Sequence, residues 1–308
     1  MTPALRLSHP AIGVYMAEHT PIEPIKEIRA DFTPGEKSVG KRIVDLPWWF
    51  IGIIFIAFWA AFIIITTPNY QEAFIWIKAG IRVTIQTSII AYIFAIIIGL
   101  FTGLGRLSNN VVINNLARLY VELVRGIPML VLIFFIAFVG VPVVVEFLNK
   151  IGELALANGL TVIGEFLTIF NIQDFPMLVR AIIALSVTYG AFLAEIFRAG
   201  IQSIGKGQTE AARSVGMSNA QSMRHVILPQ AIRNVLPALG NDFVAMVKDS
   251  SLVSVLAVRD ITQIARLYAG STFRFRESYS TLAVMYLALT VMLSLVVQFV
   301  ERRMRRNE

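Results

Sequence analysis

Between Pro47 and Thr67 the chain reads WWFIGIIFIAFWAAFIII without one charged side chain. A helix needs about 20 such residues, rising 1.5 Å each, to cross the ~30 Å hydrocarbon core of a bilayer. Similar runs recur at about Gly80–Gly105, Tyr120–Phe147, Met177–Phe197, a more polar Val235–Val258, and Tyr279–Val300. Lipid offers no partner for backbone N–H and C=O groups, so apolar stretches of this length satisfy them internally, as helices. Composition points the same way: 15% of residues are charged, against about 25% in a soluble domain. The expected class is an all-α integral membrane protein with six spans. With Cys 0, a disulfide framework, thiolate metal sites and cysteine nucleophiles are excluded. His9, His19 and His225 show no metal-ligand spacing, and no metal is expected.

Six spans put both termini on one side, and the side follows from Lys and Arg, which accumulate in cytoplasmic segments. With the termini inside, inner segments hold 18 Lys and Arg against 8 outside, and Lys248 lies within a span. The inner set comprises the tail up to Arg42, the group Arg106, Arg118 and Arg125, five residues from Arg198 to Arg233, and the terminal RRMRR. Most of the net charge of +7 is therefore cytoplasmic anchoring, and no nucleic acid partner is expected. Arg259, Arg266, Arg274 and Arg276 fall on the outer side, and charge alone does not explain them. Leu154–Ile172 is long enough to cross, with only Glu165 against it. Crossing would invert everything downstream and expose the basic tail outside, so it reads as an outer helix, interfacial or re-entrant.

Residues 1–46 are polar, with prolines at 3, 10, 21, 24 and 34, and read as a disordered or surface-lying cytoplasmic tail. The apolar run after them is too long for a signal-peptide core and reads as a retained span. The expected division is this tail, an additional N-terminal span with its outer connector at 47–79, a core at 80–303, and a basic tail at 304–308. Within the second span, Gly99-x-x-x-Gly103 suits close helix packing. Pro128 in the third frees backbone groups that need protein or water beside them.

The inner segment 201–237, IQSIGKGQTEAARSVGMSNAQSMRHVILPQAIRNVLP, is too polar to cross and too helical in composition to be a mere connector. Thr209 can cap a short helix with Glu210 near its positive end. Gly216 ends it, since glycine takes positive φ freely. Ser218 can cap a second helix ending near Leu228-Pro229. Two short helices at an angle suit docking into a groove on another protein. Gly200-x-x-x-x-Gly205-Lys206 begins like a phosphate-binding loop, but Gly207 stands where Ser or Thr must hold Mg²⁺, so the chain is not expected to bind ATP.

The spacing Glu210-Ala211-Ala212, Gly216, then Val226-Ile227-Leu228-Pro229 resembles the EAA loop of ABC importer permeases, with Val226 where isoleucine is usual. AEIFRAGIQSI (194–204), GQTEAARSVGMS (207–218), ILPQAIRNVLPALGN (227–241), KDSSLVSV (248–255), Thr87-Ser88 and the stretch Tyr120–Pro128 resemble the polar amino acid subfamily, the histidine- and glutamine-type permeases. The resemblance covers about residues 80–303. It implies a type I ABC importer transmembrane-domain fold, here five core spans plus one N-terminal span, in a bacterial plasma (inner) membrane. It further implies two ABC ATPase subunits that hold ATP and Mg and dock through the loop. A second permease, identical or related, and an extracytoplasmic amino-acid-binding protein complete the implied assembly.

Charges inside the membrane are candidates for a substrate path. A zwitterionic amino acid needs a donor for its carboxylate, for which Arg198 is suited, and an acceptor for its ammonium, for which Asp249 is suited. Ser250 and Ser251 could add hydrogen bonds, and Glu195 and Lys248 are further candidates. The competing reading pairs Glu195 with Arg198 at i, i+3, and sends the adjacent Lys248 and Asp249 in different directions. Glu122 and Arg125, also at i, i+3, suggest structure or gating. An ion-coupled secondary transporter or channel would explain the spans but leaves the 201–237 loop without a role. A membrane enzyme lacks any clustered nucleophile–base set.

Overall fold

The computed structural model describes residues 48–305; the expected tail at 1–46 and the last residues of the basic C-terminus lie outside them. Every element among the described residues is helical. Helix α1 (Trp48–Thr66) is apolar on all sides, and its Phe55 and Phe58 are 70% and 75% exposed, as a lipid-facing helix requires. Pro68 then opens α2 (Pro68–Ile77), which runs through one tight turn (Lys78–Gly80) into α3 (Ile81–Arg106).

Helix α3 packs along α8 (Met177–Gln202), and small residues make the seam. A side-chain carbon at Gly99 would lie 2.6 Å from Leu193 Cβ, and one at Gly103 would lie 2.9 Å from the Ala194 carbonyl. Close backbone approach replaces the hydrophobic drive that is missing between helices in lipid. Hydroxyls stitch the seam: Ser186 donates to the Ala91 carbonyl at 3.2 Å, and Tyr120 of α4 (Val111–Gly126) to the Val187 carbonyl at 2.5 Å.

Three sequence expectations need correction. The third span does not run unbroken from Tyr120. Helix α4, capped by Asn110, stops at Gly126, and Ile127 is extended at φ −104° and ψ 134°. Pro128 disfavours helical backbone in the residue before it, so the chain restarts as α5 (Met129–Phe135). A wide π turn (Ile136–Gly140) leads on into α6 (Val141–Ala157). Arg180 fastens this turn by donating to the carbonyls of Ala137 (3.2 Å), Phe175 (2.7 Å) and Ile172 (3.2 Å).

Leu154–Ile172 is not one helix. It turns at Gly159, where φ is +78°, and α7 (Thr161–Thr168) folds back on α6 with Gly164 against Gly152.

The Val235–Val258 stretch is likewise not one unbroken helix. Helix α11 (Leu228–Asp249) passes into a 3₁₀ segment (Ser250–Leu256), a left-handed Ala257 and α12 (Ile261–Thr272). Its polar residues Asn241, Asp242, Lys248 and Asp249 lower its apolar character. Among the described residues, four helices are long and apolar enough to cross a membrane: Pro68–Arg106, Met129–Ala157, Met177–Gln202 and Phe275–Arg303; Ile51–Thr66 is a shorter apolar helix. The last of the four belongs to α13 (Phe275–Arg305). Only 6% of its apolar stretch is buried, against 56% for α8, so α8 is central and α13 peripheral.

Candidate functional site

The 201–237 segment folds as two short helices joined at a glycine. Helix α9 (Lys206–Ser214) begins after Gly205, so Thr209 lies inside it and does not cap it. The chain then reverses: the Gly216 N–H donates to the Arg213 carbonyl at 2.9 Å and the Met217 N–H to the Ala212 carbonyl at 3.1 Å. Gly216 has φ +82°, with nothing within 4 Å of where a side chain would begin. Its identity is thus set by backbone conformation and not by space. Ser218 caps α10 (Asn219–Ser222): its hydroxyl accepts from the Gln221 N–H at 3.3 Å, and the Gln221 side chain accepts from the Ser218 N–H at 2.8 Å.

The second helix does not end at Pro229. A π turn (Met223–Ile227) follows α10 and continues without a break into α11. Pro229 has no N–H to donate back along this continuous helix, and it sits just after the π turn, whose wider winding accommodates it. The loop and α11 are therefore one continuous element. A small core anchors it: Ile201, Ile227 and Ala231 are buried together, with Leu104, Leu107, Met223 and Val226 against them. A side chain at Gly200 would overlap Val235, so α8 and α11 meet closely just below. Asn234 donates to the Ser203 hydroxyl at 3.1 Å, and Gln230 to Gln208 at 3.2 Å. Ala212 is buried and Val226 and Leu228 half-buried, whereas Glu210, Ala211, Gly216 and Pro229 are exposed. Val215, at the turn, is 73% exposed. One face of the loop is tied to the ends of α3 and α8, and the other is open.

Beside this anchor, Glu195 gathers three guanidinium groups from three helices. It accepts from Arg106 of α3, from Arg125 of α4 at 3.2 Å, and from Arg198 of its own helix at 2.8 Å. Arg198 also donates to Gln202 at 2.6 Å, and Arg125 lies 5.7 Å from the Phe192 ring centre. The i, i+3 pairing with Arg198 was legible in the sequence. Arg106 and Arg125 were not, because only the fold brings residues so distant in sequence to one carboxylate.

Asp249 accepts a hydrogen bond from Tyr189 at 2.7 Å, in the interior of α8. Tyr189 and Arg198 are nine residues apart on that helix, about 13 Å along its axis at 1.5 Å per residue. Arg198 and Asp249 therefore do not converge on one small zwitterion. Ser250 is buried and donates to the Val247 carbonyl at 2.7 Å, Ser251 is half-buried, and Lys248 is exposed. Tyr189 and Tyr92, the latter donating to the Leu239 carbonyl at 2.5 Å, are polar groups of this interior that sequence reasoning passed over. Among the described residues, no group of three His, Cys, Asp or Glu is placed to hold a metal.

Residues 95–306 match the family described as binding-protein-dependent transport system inner membrane component. The chain is 35% identical to the probable amino-acid permease protein YxeN of Bacillus subtilis (strain 168), over 76% of this chain and 94% of that one. It is 31% identical to the glutamine transport system permease protein GlnP of Escherichia coli (strain K12), over 73% and 91%. Among solved structures, an amino acid ABC transporter crystallised with histidines matches at 35% identity with a TM-score of 0.61. That match covers 78% of this chain and 97% of that one.

Proposed function

The chain belongs to the family of binding-protein-dependent transport system inner membrane components, and from that premise we propose that it is the permease subunit through which an ATP-driven importer moves polar L-amino acids. It is a multi-pass inner-membrane ABC permease resembling amino-acid and glutamine permeases. Beyond that, the loop centred on Glu210, Ala211, Ala212 and Gly216 docks a separate ATPase subunit, which holds ATP and Mg. An extracytoplasmic binding protein delivers the amino acid. Two ATPases and a second permease complete the assembly, and both termini are cytoplasmic. Five core spans, with the α11 segment crossing among protein neighbours and α1 as an extra N-terminal span, carry the path.

The observation behind this reading is the continuity of α10, its π turn and α11. A displacement of the exposed loop face is carried without a flexible joint into the helix bearing Asp242 and Asp249. Asp249 and Ser251 line the path in the interior, with the buried Ser250 behind them, tied to the Val247 carbonyl. Arg198, held by Glu195, belongs to the end of the path nearest the loop, and Lys248 to a face open to a second permease. The test is purification of the chain from its native membrane with identification of its partners. An ATPase in about equal amount supports the reading, and recovery of the chain alone, folded and without nucleotide-dependent activity, contradicts it.

A further inference from the structure

A cleft of about 520 Å³ opens between α2 and α12, with Glu72, Trp76, Arg259 and Tyr268 in its wall. That is within the range of small-molecule sites, roughly 300–1,000 Å³. It lies at the end of the molecule away from the loop. Leu104, near the last turn of α3, packs in the loop anchor, whereas Trp76 and Ala79 of the cleft precede the first turn of α3. The 26 residues of α3 span about 39 Å, more than the ~30 Å hydrocarbon core. The cleft therefore sits at the opposite membrane surface.

Its charges are arranged unequally. Arg274 donates to Glu72 at 2.5 Å and to the Tyr268 hydroxyl at 3.3 Å, which fixes Glu72 at the rim through one of its two carboxylate oxygens. Arg259 has no carboxylate partner among the described residues. A guanidinium with its fork free matches a carboxylate in two-point fashion. The second Glu72 oxygen can accept from an ammonium, and the Trp76 ring can receive the same cation on its face.

We propose that this cleft is a reception site for an α-amino acid at the outer surface, with its carboxylate on Arg259 and its ammonium on Glu72 and Trp76. The inference rests on the permease reading for the word outer, and it gives a use to two of the four outer-side arginines that the charge count left unexplained.

The test is equilibrium binding of radiolabelled L-glutamine, L-glutamate, L-histidine and L-arginine to the complete transporter in lipid nanodiscs, without binding protein or nucleotide. At least one should bind saturably. Arg259→Gln should weaken that binding at least tenfold and Glu72→Gln at least fivefold, with melting temperatures within a few degrees of the parent. N-acetylated and decarboxylated forms of the bound amino acid should fail to compete. Absence of saturable binding by all four, or binding that survives both substitutions, overturns the proposal. The readout is binding and not uptake. A chain that recovers no ATPase yet binds in an Arg259-dependent way upholds the cleft and contradicts the permease reading; the reverse result overturns the cleft alone.

Discussion

The two ends of the molecule use charge in opposite ways. At the loop end, one carboxylate, Glu195, is shared by three guanidinium groups from α3, α4 and α8, and the Arg106 side chain is only 11% exposed. At the far end, Glu72 and Arg274 form a single pair with side chains 49% and 36% exposed, and Arg259 of the same cleft has no carboxylate partner among the described residues. The first arrangement fastens helices together where a loop joins them. The second leaves hydrogen-bonding capacity open to solvent. The number of arginines at a membrane surface therefore says little until their partners are known: the same residue type closes one end and opens the other.

Removing the shared carboxylate should have the largest effect. Glu195→Gln leaves the nearly buried Arg106 without a charged partner, and hydrogen bonds to charged groups are worth about 1.5–3 kcal/mol each. The expected loss is about 2–3 kcal/mol, read as a lower melting temperature in lipid nanodiscs. An unchanged melting temperature would show that the cluster fastens nothing. Arg125→Gln should cost less, about 1 kcal/mol, because its pair with Glu195 is longer at 3.2 Å and its side chain is 45% exposed. A loss equal to that of Glu195→Gln would mean that the cluster acts as one unit. Glu72→Gln should be smallest in stability, a few tenths of a kcal/mol to about 1 for an exposed pair. A loss above 2 kcal/mol would make the far end as structural as the near one and erase the contrast.

Much of the loop was legible in the sequence because its signals are local. Gly216 at a helix end and Ser218 three residues before Gln221 each point to one backbone conformation, and both adopt it. Thr209 misled because Lys206 to Gln208 already form the first turn of α9, and glycines at 205 and 207 disguise where it starts. Pro229 misled in another way. A proline reads as a stop, but packing of Ile227 and Ala231 on Ile201 and the end of α3 holds the chain helical through it. Tertiary contact there outweighs local preference. Pro128 is the converse, a break that apolar length alone conceals and that the restriction on Ile127 explains. The intended meeting of Arg198 and Asp249 was beyond sequence reasoning, since it depends on how far along α8 each is held. The resemblance in residues 80–303 carried the family, and the matched residues 95–306 bear it out.

In the proposed function, the backbone conformation at Gly216 sets the geometry of the loop that docks the ATPase. This is tested most directly by ATP-driven amino acid uptake in proteoliposomes containing the binding protein and ATPase, comparing Gly216→Val with Gly216→Asn. At φ +82° a β-branched side chain is strained by about 1–3 kcal/mol, whereas asparagine tolerates the left-handed region. The first side-chain carbon meets no neighbour within 4 Å in either variant, so the main difference between them is backbone strain. Gly216→Asn should retain most of the uptake, and Gly216→Val should lose at least tenfold at equal abundance in the membrane. Equal uptake by both variants at the parent rate would contradict this role for Gly216.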